Sequence, residues 1–204
     1  MTHPSIPSET KLPAALVCFA GLLFFAASLR YPGGYDWAAQ SISSLFQPLS
    51  TDGSENPARL IAIVSVAAFC SGIAIAFDRI ARRADSVRLR KTIQIACIGS
   101  MVYAFLVVTP MHDVMVTVAF AFFIVAMLAT LRFLWTENRR VLVAVGLASM
   151  SGTVWNAVLY YAPVDAAPLP AVQKVSMLLW VVWLLTVYFS AIPSQVLNES
   201  RAPH

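Results

Sequence analysis

The sequence predicts an all-α, polytopic integral membrane protein, with a six-helix transmembrane bundle forming a single domain over residues 1–204. Two observations lead to this fold class. Apolar residues make up 59% of the chain and charged residues only 12%, about half of the share usual in soluble domains. The chain also contains six stretches without Asp, Glu, Lys or Arg, each long enough to cross the apolar core of a bilayer.

The predicted transmembrane helices follow one another with short connections. They span residues 12–29, 60–77, 92–111, 114–131, 141–161 and 172–192, and the charge-free part of the last is 175–192. Strands of an outer-membrane barrel are not predicted, because no segment alternates apolar and polar residues between turn signals. For the first helix an alternative stays open. Lys11, the apolar run and the small residues Ala26-Ala27-Ser28 are also typical of a cleaved signal peptide.

The long connection at residues 30–59 has a composition of its own. It begins with the helix breakers Tyr31-Pro32-Gly33-Gly34-Tyr35. Asp36 then stands where it can cap a short amphipathic helix over Trp37–Gln47. Because this segment lacks basic residues, we expect it to lie on the external membrane surface or to fold over the bundle.

The basic residues indicate the orientation of the chain. Eleven of the 14 Lys and Arg residues fall in the two terminal segments and in the second and fourth loops. The positive-inside rule therefore predicts that both termini are cytoplasmic, in a bacterial inner membrane. Since topology accounts for the net charge of +4, we predict no nucleic-acid partner.

Four polar residues on the predicted external face are candidates for chemistry. His112 and Asp113 share a short turn, and Asp36 and Asp165 lie in neighbouring loops. In one interpretation Asp36, His112 and Asp113 are catalytic and act as acid and base. In the other, Asp36 and Asp113 cap helices, Asp165 belongs to a turn and His112 is an ordinary loop residue.

A polar stripe on the fifth helix is the second candidate feature. Ser149, Gly152, Thr153, Asn156 and Tyr160 share one face, which should turn away from lipid. The stripe serves either close helix packing or one wall of a cavity that opens outward. The candidate binding residues are Trp37, Gln40, Trp155, Asn156, Tyr160, Asp165 and Trp180. The aromatic members of this set are equally typical of an interfacial aromatic belt.

The sequence predicts no cofactor and no metal site. Cys18, Cys70 and Cys97 lie in apolar runs and are interpreted as small buried hydrophobes. Histidine is too scarce for haem or zinc ligation, since two of the three lie near the termini. No phosphate-binding loop, dinucleotide fingerprint or nucleophile elbow occurs.

One segment also supports a family resemblance. The sequence RYPGGYDWAAQSISSLFQPLSTDGSENPAR, residues 30–59, and the later Met111-His112-Asp113 resemble a group of bacterial six-helix membrane proteins of unknown function. That group is loosely related to the eukaryotic FRAG/DRAM/Sfk membrane proteins. Phe46 stands where a glycine often follows the leucine in that group. The resemblance implies the six-helix fold and a connection with lipids, and it implies no catalytic residues.

Three functions are compatible with these features. The first is a membrane protein that binds a lipid or other apolar small molecule in an outward-opening pocket. The second is a membrane enzyme that uses Asp36, His112 and Asp113 on a lipid or isoprenoid-like substrate, by isomerisation, cyclisation or hydrolysis. The third is a small transporter or channel. The oligomeric state is left open.

Overall fold

The computed structural model describes residues 8–162 and 168–190, and over these residues it forms six α-helices. They are α1 (Ser8–Ser28), α2 (Arg59–Ala81), α3 (Val87–Leu106), α4 (His112–Thr136), α5 (Arg140–Tyr161) and α6 (Leu169–Ser190). Within this part of the chain, every helix except α3 is long and apolar enough to cross a membrane. The all-α prediction is confirmed, and the architecture is compatible with a helical membrane bundle.

Helix α3 begins and ends earlier than the predicted 92–111. The hydroxyl of Ser86 accepts a hydrogen bond from the Leu89 amide (3.4 Å), so this serine caps the helix and draws the following basic residues into its first turns. At the other end the helix stops at Leu106, four residues before Pro110. A proline disfavours helical backbone in the residue before it, so the predicted extension to residue 111 is wrong.

The predicted amphipathic helix over Trp37–Gln47 is also wrong. The segment forms one capped turn and then a 3₁₀ helix, Ile42–Phe46. Ser41, between them, has extended backbone (φ −71°, ψ 156°). The Tyr35 hydroxyl donates to the carbonyls of Gln40 (3.1 Å) and Ser41 (2.9 Å). Side-chain donors of this kind compete with helical hydrogen bonds, which explains the interruption.

Helix α2 is the central helix of the bundle and packs against α1, α3 and α6. Its contact with α1 is close, because a Cβ atom at Gly72 would lie only 2.9 Å from the Pro13 carbonyl oxygen. One end of this contact is also polar, since the buried Ser65 hydroxyl donates to the Ala20 carbonyl (2.6 Å). Small residues and interhelical hydrogen bonds are the means by which membrane helices associate.

Aromatic residues fill the centre of the bundle. The Trp180 ring of α6 packs against Phe69 of α2 and Phe123 of α4, at centroid distances of 5.8 and 4.8 Å. One turn further along α6, the buried Trp183 donates from its indole nitrogen to the Leu142 carbonyl of α5 (2.7 Å). These contacts join α2, α4, α5 and α6 into one core.

The two ends of the bundle differ in how many Lys and Arg residues their connections contain. The loop end carries residues 29–58 and the connections that follow α3 and α5. The basic end carries the connections that follow α2 and α4. The described residues among the predicted catalytic and binding residues lie at the loop end, apart from the deeper Trp180.

Candidate functional site

The loop ends of α4 and α5 are joined by a small polar cluster. One oxygen of the Asp113 carboxylate accepts a hydrogen bond from the Tyr160 hydroxyl (2.6 Å) and lies 2.9 Å from Nδ1 of His112. Beside it, the hydroxyls of Thr117 and Tyr161 lie 2.7 Å apart. The Asp113 side chain is 84% exposed and that of His112 only 22%. The carboxylate therefore orients the histidine ring while remaining open at the surface.

The interpretation of Asp113 as the cap of α4 is wrong, although the residue lies at the start of the helix. The residue lies in the first turn of α4, where a carboxylate favours the positive end of the helix dipole. It does not cap the helix, because the N-cap position is Met111 and no side-chain capping bond is formed there. The bonds to Tyr160 and His112 leave the second ring nitrogen of His112 without a partner in the described part of the chain. An imidazole held in this way can accept or donate a proton.

Asp36 belongs to a different cluster. Its carboxylate accepts hydrogen bonds from the amides of Ala38 (2.7 Å) and Ala39 (3.1 Å), so it caps a turn. The Gln40 side-chain oxygen in return accepts from the Asp36 amide (2.9 Å). Among the residues that the structure describes, no hydrogen bond or ion pair joins Asp36 to His112 or Asp113. The three predicted catalytic residues are therefore divided between two clusters.

The loop with Asp36 is fastened to α6 by two polar residues. The ammonium group of Lys174 donates to the carbonyls of Gln40 and Pro170 and lies 5.7 Å from the centroid of the Tyr35 ring. Gln173 accepts a hydrogen bond from the Ile42 amide (3.1 Å). Burial raises the pKa of Tyr35, so its hydroxyl stays protonated as a donor. The loop is thus held over the loop end of α6.

The polar stripe of α5 faces the bundle, as predicted. Ser149 and Thr153 are buried, and their hydroxyls donate to carbonyls of α5 itself. Gly152 faces Ser176 of α6, and a Cβ atom added there would lie 3.4 Å from the serine Cβ. Asn156 differs from these residues, because its side-chain oxygen is buried and accepts no hydrogen bond from residues 8–162 or 168–190.

The remaining predicted binding residues have different environments. Trp37 is 43% exposed and packs edge-on against Tyr35, whereas Trp155 is 55% exposed on the outer face of α5. Trp180 is buried in the core. The Gln40 amide nitrogen donates to the Thr51 hydroxyl (3.2 Å). Asp165 lies outside the described residues.

Sequence reasoning missed Asn56, which organises the long loop. Its amide nitrogen donates to the carbonyls of Leu45 (2.9 Å) and Gln47 (3.0 Å), and its oxygen accepts from the Ala58 amide (3.0 Å). Asn56 thereby joins the end of the 3₁₀ helix to the start of α2. Asn56 is followed by Pro57, and an Asn-Pro pair before a helix is a turn signal. This pair could have indicated that Asn56 organises the turn into α2.

Cavities lined by described residues lie in three other places. The one at the basic end, between α3 and α4, has a volume of about 590 Å³. An apolar one of about 340 Å³ lies between α2 and α3, beside Cys70 and Phe105. A third, of about 700 Å³, is lined by Pro48, Asn56 and Arg59 at the loop end.

No group of three His, Cys, Asp or Glu side chains within residues 8–162 and 168–190 is placed to hold a metal ion. No protein-family model matches this chain, and neither a curated protein nor a solved structure matches it.

Proposed function

We propose that this protein is a multi-pass membrane protein that binds a lipid or another apolar small molecule at the loop end, between α5 and α6. The observation that supports the proposal is the buried side-chain oxygen of Asn156, which accepts no hydrogen bond within the part of the chain that the structure describes. Leaving such an acceptor unpaired costs about 1–3 kcal/mol, and native proteins rarely leave one so without a reason. A ligand with a hydrogen-bond donor would satisfy it.

The register of the two helices supports this position. Gly152 of α5 lies opposite Ser176 of α6, and the two helices run antiparallel. Four residues further along α5, Asn156 is therefore level with Val172, next to Gln173. Gln173 holds the Ile42 amide of the long loop. Asn156 thus lies just beneath the place where the loop meets α6.

The chemistry of Asn156 limits the class of ligand. The unpaired atom is an acceptor, so the ligand must bring a donor such as a hydroxyl, an amide or an ammonium group. The surrounding helix faces are apolar or carry hydroxyls that already donate to backbone carbonyls. An apolar molecule with a hydroxyl or amino group meets both requirements.

Lipid extraction followed by mass spectrometry of the purified protein tests the proposal. Asn156→Leu keeps the side-chain volume and removes the unpaired acceptor. We expect this variant to lose the co-purifying molecule and to gain up to about 3 kcal/mol in stability without it. Trp155→Leu is the matched control, because the neighbouring side chain faces outward. If Asn156→Leu keeps the ligand at the wild-type ratio, the proposal is wrong.

A membrane enzyme is the second candidate, and the His112–Asp113–Tyr160 cluster favours it. The Asp113 carboxylate orients His112 through Nδ1 and leaves the other nitrogen for proton transfer to or from a substrate. Such a group suits proton-initiated isomerisation or cyclisation and also hydrolysis. The substrate class is again a lipid or an isoprenoid-like molecule at the membrane surface.

Incubation of the purified protein with extracted membrane lipids, with products followed by mass spectrometry, tests the enzyme proposal. His112→Gln should slow product formation by about 10²–10⁴-fold, because the general acid–base is lost. Asp113→Asn should slow it through misorientation of the ring. Glu55→Gln, an exposed carboxylate in the loop, is the control and should leave the rate unchanged. Equal rates in all variants would contradict the enzyme proposal.

We further propose that the protein lies in a bacterial inner membrane and that its basic end is on the cytoplasmic side. Eleven of the 14 Lys and Arg residues fall in the terminal segments and in or beside the connections that follow α2 and α4. Lys and Arg in short loops resist translocation, so they set the orientation of the helices. The ligand site at Asn156 would then open toward the outer surface.

A further inference from the structure

A groove at the basic end combines charged and apolar walls. It has a volume of about 590 Å³ and runs between the start of α3 and the end of α4. This size lies within the range of small-molecule sites, which is about 300–1,000 Å³. The residues that matter for its chemistry are Asp85, Arg88, Val125, Leu128, Arg132 and Glu137.

The charged residues of the groove are balanced and unpaired. Arg88 and Arg132 provide two positive charges, and Asp85 and Glu137 provide two negative ones. In the part of the chain that the structure describes, none of these four side chains makes a hydrogen bond or an ion pair. Four charges of both signs thus line one groove without neutralising one another by direct contact.

Arg88 lies at the positive end of the α3 dipole, and the nearby Asp85 carboxylate of the groove makes no ion pair with it in the described part of the chain. Arg88 is the second residue of α3, where the helix dipole presents its positive end, and the first turn contains no acidic residue. A cation at this end destabilises the helix, and an anion bound there stabilises it. The phosphate of a lipid headgroup, held between Arg88 and Arg132, would supply that anion.

The opposite part of the groove is apolar and exposed on the outer surface of the bundle. Leu128 and Val125 are 49% and 46% exposed, and Leu128 lies one helical turn from Arg132. Nearby, the exposed Trp135 ring lies 3.5 Å beneath the Arg140 guanidinium, as expected for residues at a membrane interface. The charged part of the groove is therefore at the level of lipid headgroups and the apolar part at the level of acyl chains.

We propose that this groove binds a phospholipid with an ethanolamine headgroup. Arg88 and Arg132 hold the phosphate, Asp85 and Glu137 accept hydrogen bonds from the ammonium group, and one acyl chain lies along Leu128 and Val125. A phosphatidylglycerol headgroup would bring only negative charge toward the two carboxylates. A phosphatidylcholine headgroup has no N–H to donate to them.

Native mass spectrometry of the full-length protein, titrated with three lipids of identical acyl chains, tests this proposal. We expect phosphatidylethanolamine to bind about tenfold more tightly than phosphatidylglycerol or phosphatidylcholine, as the loss of charge-assisted hydrogen bonds implies. The double variant Arg88→Gln, Arg132→Gln should lose about tenfold in affinity for phosphatidylethanolamine. Lys91→Gln, an exposed cation of α3 outside the groove, is the matched control.

The carboxylates provide the sharper test, because their neutralisation should reverse the preference. The double variant Asp85→Asn, Glu137→Gln should bind phosphatidylglycerol at least as tightly as phosphatidylethanolamine. Equal binding of all three lipids to the wild type, or tighter binding of phosphatidylglycerol, would overturn the proposal. So would an unchanged preference in the carboxylate variant, provided that its circular dichroism spectrum matches the wild type.

The groove is independent of the proposed site at the loop end, since the two share no residue. Asn156→Leu should leave the affinity for phosphatidylethanolamine unchanged. The groove variants should in turn leave the molecule that co-purifies through Asn156 unchanged. Failure of either proposal can therefore be recognised separately.

Discussion

The close contact at Gly146 allows a quantitative test of the packing between α4, α5 and α6. In Gly146→Ala the new Cβ atom would lie 2.6 Å from a terminal carbon of Leu131 and 2.7 Å from the Trp183 ring. The Leu131 end can rotate away. The Trp183 ring cannot move freely, because it is only 1% exposed and its N–H is bonded to the Leu142 carbonyl.

The expected loss of stability follows from three contributions. Overpacking a core position costs about 1–3 kcal/mol. A shift of the Trp183 ring that weakens its hydrogen bond adds about 1 kcal/mol. The higher helix propensity of alanine offsets about 1 kcal/mol of this. We therefore expect Gly146→Ala to lower the free energy of unfolding by about 1–3 kcal/mol.

Gly21→Ala is the matched control, since it also replaces a glycine inside a helix. No heavy atom lies within 4 Å of the position that its Cβ would take. Only the helix propensity changes, so this variant should be as stable as the wild type or about 1 kcal/mol more stable.

Equilibrium unfolding by sodium dodecyl sulfate in mixed micelles, followed by circular dichroism, measures both variants. A double variant with Leu131→Ala should be less destabilised than the two single variants together, because removal of the leucine end relieves part of the clash. If Gly146→Ala is as stable as the wild type, or if Gly21→Ala loses as much, the packing argument is refuted.

Three further predictions concern the loop and the orientation. Hydrogen bonds from Ser50 and Ser54 lower the pKa of Asp52 to about 2. Their contribution to folding stability is therefore complete above the ordinary carboxyl pKa and is lost as pH falls through about 2. Carbon-13 NMR titration should show this low pKa in the wild type and a pKa of about 3.9 in the double variant Ser50→Ala, Ser54→Ala. Lys174→Met should speed hydrogen exchange in residues 35–42, and Lys11→Met should not. A C-terminal green fluorescent protein should fluoresce and a C-terminal alkaline phosphatase should be inactive, whereas the reverse would contradict the cytoplasmic C-terminus.

The helices could be predicted from the sequence because their signal is simple. A run of about 20 apolar residues without charge has few alternatives to a helix in a membrane. Helices α4 and α5 begin within two residues of the predicted positions 114 and 141. Charge-free runs underestimate helix length where a helix continues beyond the apolar core, as α2 does to Ala81 and α4 to Thr136.

The loop and the clusters could not be predicted in the same way, because they depend on contacts between distant residues. Nothing local shows that Gln173 of α6 accepts from the Ile42 amide, or that Tyr160 donates to Asp113. The predicted loop helix is interrupted by the side chain of Tyr35, whose bonds to backbone carbonyls no periodicity reveals. The inward face of the α5 stripe was predictable, since helical spacing alone determines which residues share a face.

The revised position of α3 connects the fold with the groove at the basic end. Its apolar part, Thr92–Leu106, is only about 22 Å long at 1.5 Å per residue, against about 30 Å for the bilayer core. The charge-free part of the neighbouring α4, Val114–Leu131, is longer, at about 27 Å. A short apolar segment beside a long one draws headgroups inward or makes flanking cations extend toward the interface. The groove lies at this step between the two helices, with Arg88 on the short one and Arg132 on the long one. A headgroup drawn inward at this step would meet both guanidinium groups, so the mismatch itself favours lipid binding at this position.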